Sequence, residues 1–567
     1  MLFETVHDNL QALAHHRISS TRDAFLFIIT IALAVHALYN KYEIQPENVF
    51  ATLSLLIGLP TLASLALTPH VGSYGLGLIL TLVVFYTCLL SSIVIYRLSP
   101  FHPLAKFPGP RYLRVSKLFG MWIASGGKQQ IFFKRLHEKY GPFVRTGPNE
   151  ISTVDAQAIP SVLGSQGLPK GPMWDAYHTP DGMESLIAMR NPAEHLKRRR
   201  LWNRAFSSAS VKEYEPTVRS RVRQLAECLH RLGPKTSADT PVDLSHTFGC
   251  FTFDVMGDMM FGGGFELMKE GDVDKVWEVV EKGMENFALL QHIPWVMQIL
   301  WKIPFISGDV NRLKVFCKTR ARVRLAEGSQ VKDVYHYLID DDNHEAVKPT
   351  FEQVVGDAAL AVIAGADTTA TALTTAFYYL LRDPAKYKQL QEEVDTYFPA
   401  DEGEPFDAAT LAKMPYLNVT INEAIRLQPP VPSCTQRGTP QGNEGKLIGS
   451  YFVPGGTAVW LPLYPLLRDP RYFSPHPDDF LPERWLSDTK DDFVTNTDAF
   501  IPFSFGPANC AGKNLAWVEM RMAVALLMQR FQMRFAEGFD PLSWEDGLED
   551  CLVLKRGKLP VILALRG

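Results

Sequence analysis

Cys510 stands out because of the residues around it. It is one of seven cysteines in the chain and lies in the run FSFGPANCAGKN, residues 503–514, between Gly506 and Gly512. Glycines on both sides let backbone amides and a flat ligand approach a thiol closely. The following NLAWVEMRMAVALLMQR predicts a long helix, whose N-terminus would stabilise a thiolate. A lone cysteine is more often an inert core residue, so this run alone leaves a structural thiol and a functional thiolate both open.

A second set of reactive side chains lies in the apolar run of residues 349–384. Asp367 and Thr368 are neighbours there, within AGADTT. A carboxylate beside a hydroxyl can pass protons, and a buried carboxylate requires a partner or a function. The alternative is that both side chains are satisfied polar residues on a helix seam.

A third set combines one carboxylate with two guanidinium groups. Glu423 and Arg426 are three residues apart in MPYLNVTINEAIRLQPPVP, residues 414–432, which places them on one helical face. Such pairs are common on exposed helices, but the apolar flanks and the following prolines favour a buried pair. Arg484 lies in the proline-flanked DDFLPERWL, 26 residues before Cys510.

The Asp–Thr pair requires a long helix to position it. Thr350 and Gln353 form a capping box, and Pro384 ends the helix. The roughly 33 residues between them would extend about 50 Å and are apolar nearly all round, which predicts a helix through the core. Gly365 interrupts this pattern at a cost of about 1 kcal/mol relative to alanine.

The first hundred residues differ sharply from the rest of the chain. They contain three apolar runs, residues 23–39, 49–67 and 74–96. The third is uncharged and long enough to cross a bilayer core of about 30 Å, and the second contains Pro60. The sequence therefore predicts a membrane anchor of one to three transmembrane helices in residues 1–98. No clean cleavage site follows the first run, so a signal peptide is not expected.

Basic residues follow the third run, whereas the loop before it has none. By the positive-inside rule they place the remaining chain in the cytosol. Three spans would put the N-terminus on the side of the membrane opposite the cytosol. Arg17 and Arg22 argue against this placement, so the number of spans stays open. The basic residues are Arg97, Lys106, Arg111, Arg114 and Lys117.

The remaining chain predicts one large domain. Residues 99–111 contain four prolines and predict a stiff, extended linker, and residues 112–567 show no repeats. The net charge of −4 gives no electrostatic basis for binding nucleic acid. The seven cysteines are scattered without CxxC spacing, so neither a disulfide framework nor a zinc site is expected.

Taken together, these motifs resemble those of the cytochrome P450 family. The cysteine run, with Phe503, Gly506, Cys510 and Gly512, resembles the family's haem-binding loop. AGADTT resembles its oxygen-activation segment, and Glu423-x-x-Arg426 with Arg484 resembles its buried Glu–Arg–Arg triad. The resemblance covers roughly residues 100–567 and is nearest to membrane-bound fungal members. It implies a mainly α fold with small β-sheets and a long central helix over a haem.

The resemblance also implies roles for individual residues. Cys510 would be the axial ligand of the iron of haem b, beside Phe503 and Gly512. Asp367 and Thr368 would relay protons to oxygen, for which Gly365 would leave a notch in the helix. Glu423, Arg426 and Arg484 would stabilise the core under the haem without touching substrate.

One position departs from the family pattern. Members commonly have arginine or histidine two residues before the cysteine, where it pairs with a haem propionate, and this chain has Ala508. The missing charge-assisted bond is typically worth about 1.5–3 kcal/mol. By resemblance, other propionate partners are His195, Arg199 and Arg437. In the run KRRR, residues 197–200, Lys197 and Arg198 are expected to point outward and Arg199 inward.

The resemblance further implies separate redox and substrate partners. The chain has no glycine fingerprint for a flavin or nicotinamide, so NADPH–cytochrome P450 reductase in the endoplasmic reticulum membrane would deliver electrons. Lys513, Arg521 and residues 197–200 would form its docking face. The substrate would be a lipophilic terpenoid or sterol-like metabolite delivered from the bilayer. It would contact residues 167–186, 285–306, Ala361 and 431–433.

Three alternatives follow from the same residues. A haem-thiolate isomerase or dehydratase acting on oxygenated lipids would need no reductase, and a peroxygenase would use peroxide. Asp367 and Thr368 argue against both, because neither enzyme needs a proton relay to oxygen. A non-enzymatic membrane haem protein is disfavoured by the same pair. Dependence of turnover on NADPH and oxygen would separate these alternatives.

Overall fold

The protein is described from a computed structural model. The structure describes residues 20–42, 48–178, 183–233, 240–263, 265–272, 275–300, 308–328, 332–433, 435–440, 442 and 444–566. The chain divides into two compact units, Met1–Ser116 and Lys117–Gly567. The predicted boundaries at 98 and 111 stay predictions, as does the anchor role of the first unit.

The first unit is mainly helical where it is described. By length and composition three of its helices could cross a membrane, with α2, a π-turn and α3 joined as one. A fourth such helix in the described residues belongs to the second unit and is largely buried there. The helices of the first unit are α1 (Thr21–Tyr42), α2 (Val49–Leu53), the π-turn Ser54–Gly58, α3 (Leu59–Val71), α4 (Tyr74–Leu98) and α5 (Arg111–Val115).

The π-turn has a physical cause in Pro60. A proline inside a helix cannot donate to the carbonyl four residues earlier, which here is that of Leu56. The hydroxyl of Tyr86, on α4, donates to this carbonyl at 2.6 Å. In a bilayer an unpaired carbonyl would be costly, so this contact supports a proline within an apolar helix. Small and apolar residues of α1, α3 and α4 pack together around it.

Residues 99–107 do not form the extended linker that their prolines predict. Backbone hydrogen bonds from His102 to Ser99, from Ala105 to His102 and from Phe107 to Leu104 close successive turns. Phe107 and Leu104 are buried. The prolines therefore sit at turn positions, where a fixed φ is favourable.

The second unit is mainly helical. Its helices are α6 (Leu118–Ala124), α7 (Gln129–Tyr140), α8 (Ile159–Leu163), α9 (Pro192–Ala205), α10 (Ser208–Leu232), α11 (Leu244–Phe261), α12 (Leu267–Glu270), α13 (Val276–Leu290), α14 (Pro294–Leu300), α15 (Gly308–Glu327), α16 (Val334–Leu338), α17 (Phe351–Arg382), α18 (Pro384–Tyr397), α19 (Ala408–Leu411), α20 (Pro415–Leu427), α21 (Leu463–Leu466), α22 (Lys513–Arg530) and α23 (Pro541–Gly547).

The strands are short and form small sheets. They are β1 (Phe143–Gly147), β2 (Glu150–Thr153), β3 (Val242–Asp243), β4 (Gln436–Gly438), β5 (Lys446–Ile448), β6 (Tyr451–Val453), β7 (Ala458–Trp460), β8 (Phe473–Ser474), β9 (Val494–Thr495), β10 (Phe531–Phe535), β11 (Glu549–Cys551), β12 (Val553–Lys555) and β13 (Pro560–Leu565). Among the described residues one sheet has the order β1-β2-β7-β4 and another β10-β13-β3. The remaining strands pair as β5-β6, β8-β9 and the hairpin β11-β12.

The long helix α17 confirms the sequence prediction. It has 32 residues and begins with the predicted capping box, in which Thr350 and Gln353 bond each other's backbone amides. It packs against α11, α15, α20 and α22, and most of its residues are buried. The predicted fold class, mainly helical with small sheets and preceded by apolar helices, is confirmed.

Candidate active site

The cysteine run folds into a tight loop before α22. The amide of Cys510 donates to the carbonyl of Phe503 at 2.9 Å, which closes the loop. Gly506 has φ +74°, and a Cβ there would lie 2.0 Å from the carbonyl oxygen of Leu163. Only glycine fits this close approach of two backbones. The sequence prediction of a cysteine loop leading into a helix is therefore correct, with Gly512 as the helix N-cap.

Cys510 has an accessible surface although protein surrounds its sulfur. The residue is exposed, whereas desolvation by the surrounding protein raises the pKa of its thiol. The backbone amide of Gly512 and the charge of Arg199 counter this effect in part. A thiol in such a position becomes a stable thiolate when a cation binds it.

Arg199 contacts the loop directly. From α9, its Nη1 donates to the carbonyl of Asn509 at 2.6 Å and its Nη2 to Asn509 Oδ1 at 2.8 Å. Its Nε donates to Asn203 at 2.7 Å. These bonds hold Asn509, the residue that precedes Cys510, in place. A role of Arg199 toward a haem propionate stays a prediction.

His195 and Arg437 belong to a buried cluster of basic side chains near Arg199. Lys170, which the sequence analysis missed, is bridged to Arg437 through the backbone. Burial lowers the pKa of Arg437 to about 10. Burial first, and then Lys170, Arg199 and Arg437, lower the pKa of His195 to about 3.

Lys170 shows the same effect. Burial, followed by the charges of Arg437 and Arg199, lowers the pKa of Lys170 to about 7, and Glu184 and Asp357 compensate only in part. Within the described residues, Nε of Arg437 is buried without a hydrogen-bond partner. A cluster of desolvated cations with an unpaired donor is the setting that an anionic ligand stabilises.

Asp367 and Thr368 lie on the accessible stripe of α17. Leu360, Ile363 and Ala364 share this stripe, and Ala364 is exposed in the middle of a largely buried helix. The hydroxyl of Thr368 donates to the carbonyl of Ala364 at 2.6 Å. The predicted pair thus lies on the more accessible face of the helix.

The carboxylate of Asp367 has a partner that the sequence did not predict. Nη1 of Arg556, near the C-terminus, lies 2.9 Å from Asp367 Oδ1. The expectation of a notch at Gly365 is not met, because a Cβ there would lie 2.6 Å from Met256 Sδ. The glycine accommodates the Met256 side chain instead.

The predicted triad is assembled as one buried network. Glu423 accepts from Arg426 Nε at 2.8 Å and from Arg484 Nε at 2.9 Å, and all three side chains are fully buried. Trp485 also donates to Glu423 at 2.9 Å, a contact the sequence analysis missed. Desolvation raises the pKa of Glu423, but Arg426 and Arg484 lower it by a larger amount, so the pKa is lowered overall.

The network joins separate parts of the chain. Arg426 donates to the carbonyls of Leu467 at 2.8 Å and Pro477 at 2.6 Å. Arg484 donates to the carbonyl of His476 at 2.9 Å. The triad therefore stabilises the loops between α20 and the cysteine loop.

The expected orientation of the KRRR run is wrong at Arg198. Its side chain is buried and its Nε lies 2.6 Å from Asp357 on α17. Asp357 also accepts from Leu186 N at 2.8 Å and Trp202 Nε1 at 3.2 Å. A second carboxylate in the apolar 349–384 run was the signal that could have indicated this pair.

The predicted docking face is only partly exposed. Lys513 and Lys197 are exposed. Arg521 is half-buried, donates to Asn418 Oδ1 at 2.7 Å and stacks on Trp517. The positive charge of Arg521 therefore interacts with the protein's own side chains and is only partly available to a docking partner.

The segments predicted to line a substrate channel lie on several elements. Tyr177 stacks on Phe287 of α13 with 4.6 Å between ring centroids. Trp295 and Ile299 of α14 are exposed, and Ser433 is buried. Residues 179–182 and 301–306 of these segments lie outside the described residues.

Comparisons with known proteins give the relatives of this chain. The sequence profile described as Cytochrome P450 matches residues 109–561. Cytochrome P450 67 of Uromyces fabae is 33% identical over 543 residues, covering 93% of this chain and 97% of that protein. Cytochrome P450 monooxygenase FCK2 of Fusarium pseudograminearum is 35% identical over 84% of this chain and 85% of its own. Tryprostatin B 6-hydroxylase of Neosartorya fischeri is 32% identical over 86% and 87%, respectively.

Proposed function

The chain belongs to the cytochrome P450 family, and from this premise we propose that Cys510 is the axial thiolate ligand of a haem b. Membership in the family makes the chain a haem-thiolate monooxygenase, an oxidoreductase that incorporates oxygen from O2. The observation that carries the ligand assignment is the accessible Cys510 in its closed loop at the start of α22.

The residues present fit a haem. The exposed residue Cys510 supplies the metal ligand. The buried Lys170 and Arg437 offer cations to carboxylates, and His195, which its low pKa keeps neutral, offers a hydrogen-bond donor beside them. The unpartnered Nε of Arg437 supports this assignment, because a propionate would satisfy it. The loop itself then needs no arginine or histidine at the position of Ala508, because the cations that pair with a propionate come from other elements.

When bound, haem with a thiolate ligand supplies the redox chemistry that cleaves O2. The protein's own residues would handle protons on the opposite side. Thr368 Oγ can donate a proton outward if it leaves the carbonyl of Ala364, and Asp367 can resupply it. Glu423, Arg426 and Arg484 keep the structure below the site rigid and do not take part in proton transfer.

A lipophilic small molecule, terpenoid or sterol-like, is the proposed substrate. One relative is, by its name, a hydroxylase of tryprostatin B, which supports a secondary metabolite as substrate. The apolar surface of α14, with Trp295 and Ile299 exposed, supports entry of a lipophilic compound from a membrane.

A separate reductase is the proposed source of electrons. NADPH–cytochrome P450 reductase would dock on basic residues near the cysteine loop, of which Lys513 is exposed. The apolar helices α1, α3 and α4 support anchoring in the endoplasmic reticulum membrane, with the second unit in the cytosol because Arg97 and later basic residues follow α4.

The ligand assignment is tested by a reduced carbon-monoxide difference spectrum of microsomes that contain the protein. A strongly red-shifted Soret band is expected, and Cys510→Ala abolishes it. Cys317→Ala, which changes a buried thiol on α15, is the matched control and keeps the band. A thiolate band that persists in Cys510→Ala would contradict the assignment.

The same preparation distinguishes the proposed reaction from the alternatives. Oxygenated product should form only with NADPH, the reductase and O2. Turnover without NADPH and O2 would indicate an isomerase or dehydratase, and turnover with peroxide alone a peroxygenase. A stable haem band without turnover of any lipophilic compound would favour a non-enzymatic haem protein.

A further inference from the structure

The hairpin β11–β12 closes one end of the accessible stripe of α17. The stripe carries Asp367 and Thr368 and ends at Thr371, which is buried. The hydroxyl of Thr371 donates to the carbonyl of Leu554 on β12 at 3.5 Å. The hairpin therefore lies beside the helix face that carries the proposed proton-transfer pair.

The segment between α20 and β4 packs on the same hairpin. The amide of Leu554 donates to the carbonyl of Pro430 at 2.8 Å. Ser433 follows three residues later and is fully buried. Residues 431–433 are among those that the sequence predicts to contact substrate, so this segment and the hairpin meet next to α17.

Asp550 is a buried carboxyl on β11, directly opposite Leu554. Its amide donates to the carbonyl of Gly127 at 2.7 Å, which fixes the backbone at this position. Desolvation raises the pKa of the Asp550 carboxyl to about 6, and the hydroxyl of Ser433 and the amide of Leu552 counter this effect in part. Asp550 and Ser433 are therefore neighbours, although they come from distant segments of the chain.

Two polar atoms of this pair lack a partner. Among the described residues, neither Oδ2 of Asp550 nor Oγ of Ser433 has a hydrogen-bond partner. The two side chains are close enough for the hydroxyl to affect the carboxyl, but they are not placed to bond each other. A buried polar atom without a partner costs stability, and a ligand that bonds both atoms would recover this cost.

The two atoms define the chemical group that would satisfy them. An ionised carboxylate oxygen only accepts hydrogen bonds, whereas a serine hydroxyl can donate one. A hydroxyl group on a ligand can donate to the first and accept from the second at the same time. A ketone or an ether can only accept, and a hydrocarbon can do neither, so a hydroxyl is the group that fits both Asp550 and Ser433.

The turn of the hairpin lies next to the pair. Leu552, between the two strands, has φ +75°, a conformation that residues other than glycine rarely adopt. Strained backbone positions of this kind cluster at ligand-binding sites. Both unpartnered atoms are covered by protein, and a small movement of this turn would bring a ligand within reach of them.

We propose that Asp550 and Ser433 bind a hydroxyl group of the substrate, which is then a lipophilic molecule that already carries an alcohol before it is oxygenated. The proposal rests on the proposed monooxygenase function and narrows its substrate class. A hydroxyl held at the hairpin would leave the rest of the molecule along the accessible stripe of α17, with the carbon to be oxidised toward Thr368.

The test measures the affinity of three probes with one carbon skeleton for the purified holoenzyme, by equilibrium dialysis in mildly alkaline buffer that keeps the Asp550 carboxyl ionised. Menthol carries a hydroxyl, menthone a ketone and p-menthane no polar group. The unmodified protein should bind menthol roughly tenfold more tightly than either other probe, as expected for a hydrogen bond to a charged group. Equal affinities, or no measurable binding of menthol, overturn the proposal.

Three variants test the two side chains. Asp550→Asn keeps the volume but offers an amide donor in place of a carboxylate acceptor, so menthone should bind at least as tightly as menthol. Ser433→Ala should give an intermediate preference for menthol. Glu549→Gln changes the neighbouring carboxylate, whose side chain is 46% exposed, and should leave all three affinities unchanged. An unchanged preference for menthol in Asp550→Asn overturns the proposal.

Urea unfolding of the haem-free protein separates a binding role of Asp550 from a structural one. Asp550→Asn removes a desolvated carboxylate and should raise the urea midpoint relative to Glu549→Gln, because the ionised group disfavours folding above its raised pKa. A lowered midpoint would show that Asp550 stabilises the fold, which overturns the proposal. Absence of a thiolate band in the unmodified protein would instead overturn the proposed function and leave the urea result valid.

Discussion

Among the described residues, the hydroxyl of Thr368 bonds only within its own helix. Its hydroxyl donates to the carbonyl of Ala364, four residues earlier. A bond of this type contributes little to helix stability, so the hydroxyl can turn toward the accessible side. Asp367, in contrast, is held by a different element through Arg556. The two neighbours thus differ in how readily each can take part in proton transfer.

Thr368→Ala is expected to keep haem and fold but to lower the amount of product formed per NADPH consumed. The reason is that the hydroxyl that donates protons is lost, whereas packing is hardly changed. Product and NADPH are measured together for a substrate that the enzyme oxygenates. Thr368→Ser should retain the yield, and an unchanged yield in Thr368→Ala would remove Thr368 from the mechanism.

Arg437→Met is expected to have opposite effects on the two forms of the protein. Without haem, Nε of the buried Arg437 guanidinium has no partner among the described residues, so its replacement should stabilise the haem-free protein by about 1–3 kcal/mol. With haem, the loss of a cation should speed haem release. Urea unfolding of the haem-free protein and haem transfer to apomyoglobin measure the two effects, with Arg437→Lys as control. Slower or unchanged haem loss would contradict the propionate role.

The loops around Glu423 depend on a single buried carboxylate. Leu481 N, Arg426, Arg484 and Trp485 all bond this carboxylate. α20 positions Glu423 and Arg426 by their spacing, whereas Arg484 arrives from a short 3-10 turn, Pro482–Trp485. A helix and a loop of little regular structure are thereby joined by buried ionic hydrogen bonds.

Glu423→Gln should destabilise the protein by about 3–5 kcal/mol, because two buried guanidinium groups lose their counter-charge. The yield of folded holoprotein and its urea midpoint measure this loss. Asp479→Asn, which changes a nearby exposed carboxylate, should be near neutral. A fully haem-loaded Glu423→Gln protein of ordinary stability would contradict the structural role of the triad.

The same network predicts an acid dependence. Because the pKa of Glu423 is lowered on folding, its contribution to stability is complete above the ordinary carboxyl range and is lost as the pH falls through the lowered value. Unfolding free energies measured from pH 7 downward should fall in this acidic range, and Glu423→Gln should lack that part of the decrease.

On the scale of the whole molecule, the apolar helices of the first unit predict firm membrane attachment. The protein should remain in the microsomal pellet after alkaline carbonate extraction. A tag at the C-terminus should be digested by protease in sealed microsomes, because the second unit is expected in the cytosol. Detergent-opened microsomes are the control, and a tag protected only in sealed microsomes would reverse the predicted orientation.

Local sequence signals were sufficient to predict many of the structural elements of this protein. The capping box and Pro384 determine where α17 begins and ends, because caps act within a few residues. Three apolar runs predict the helices of the first unit, since length and hydropathy are local properties. Spacing likewise places Glu423 beside Arg426. These features, with the cysteine loop, were enough to predict the fold class and the family.

Contacts between distant segments could not be read in this way. Arg556 meets Asp367 across 189 residues, and Arg198 meets Asp357 across 159. A charged residue in an apolar run of the sequence shows that an oppositely charged partner is needed. Many such partners are available along the chain, and the packing of the folded protein determines which one is buried beside it. For this reason the sequence predicts that Arg198 points outward and that Gly365 leaves a notch for oxygen. In the structure the Met256 side chain occupies the space beside Gly365. The sequence by itself determined the elements and the family chemistry of this protein, while the tertiary structure decided which side chains restrain that chemistry, because burial and pairing depend on the packing of the whole chain.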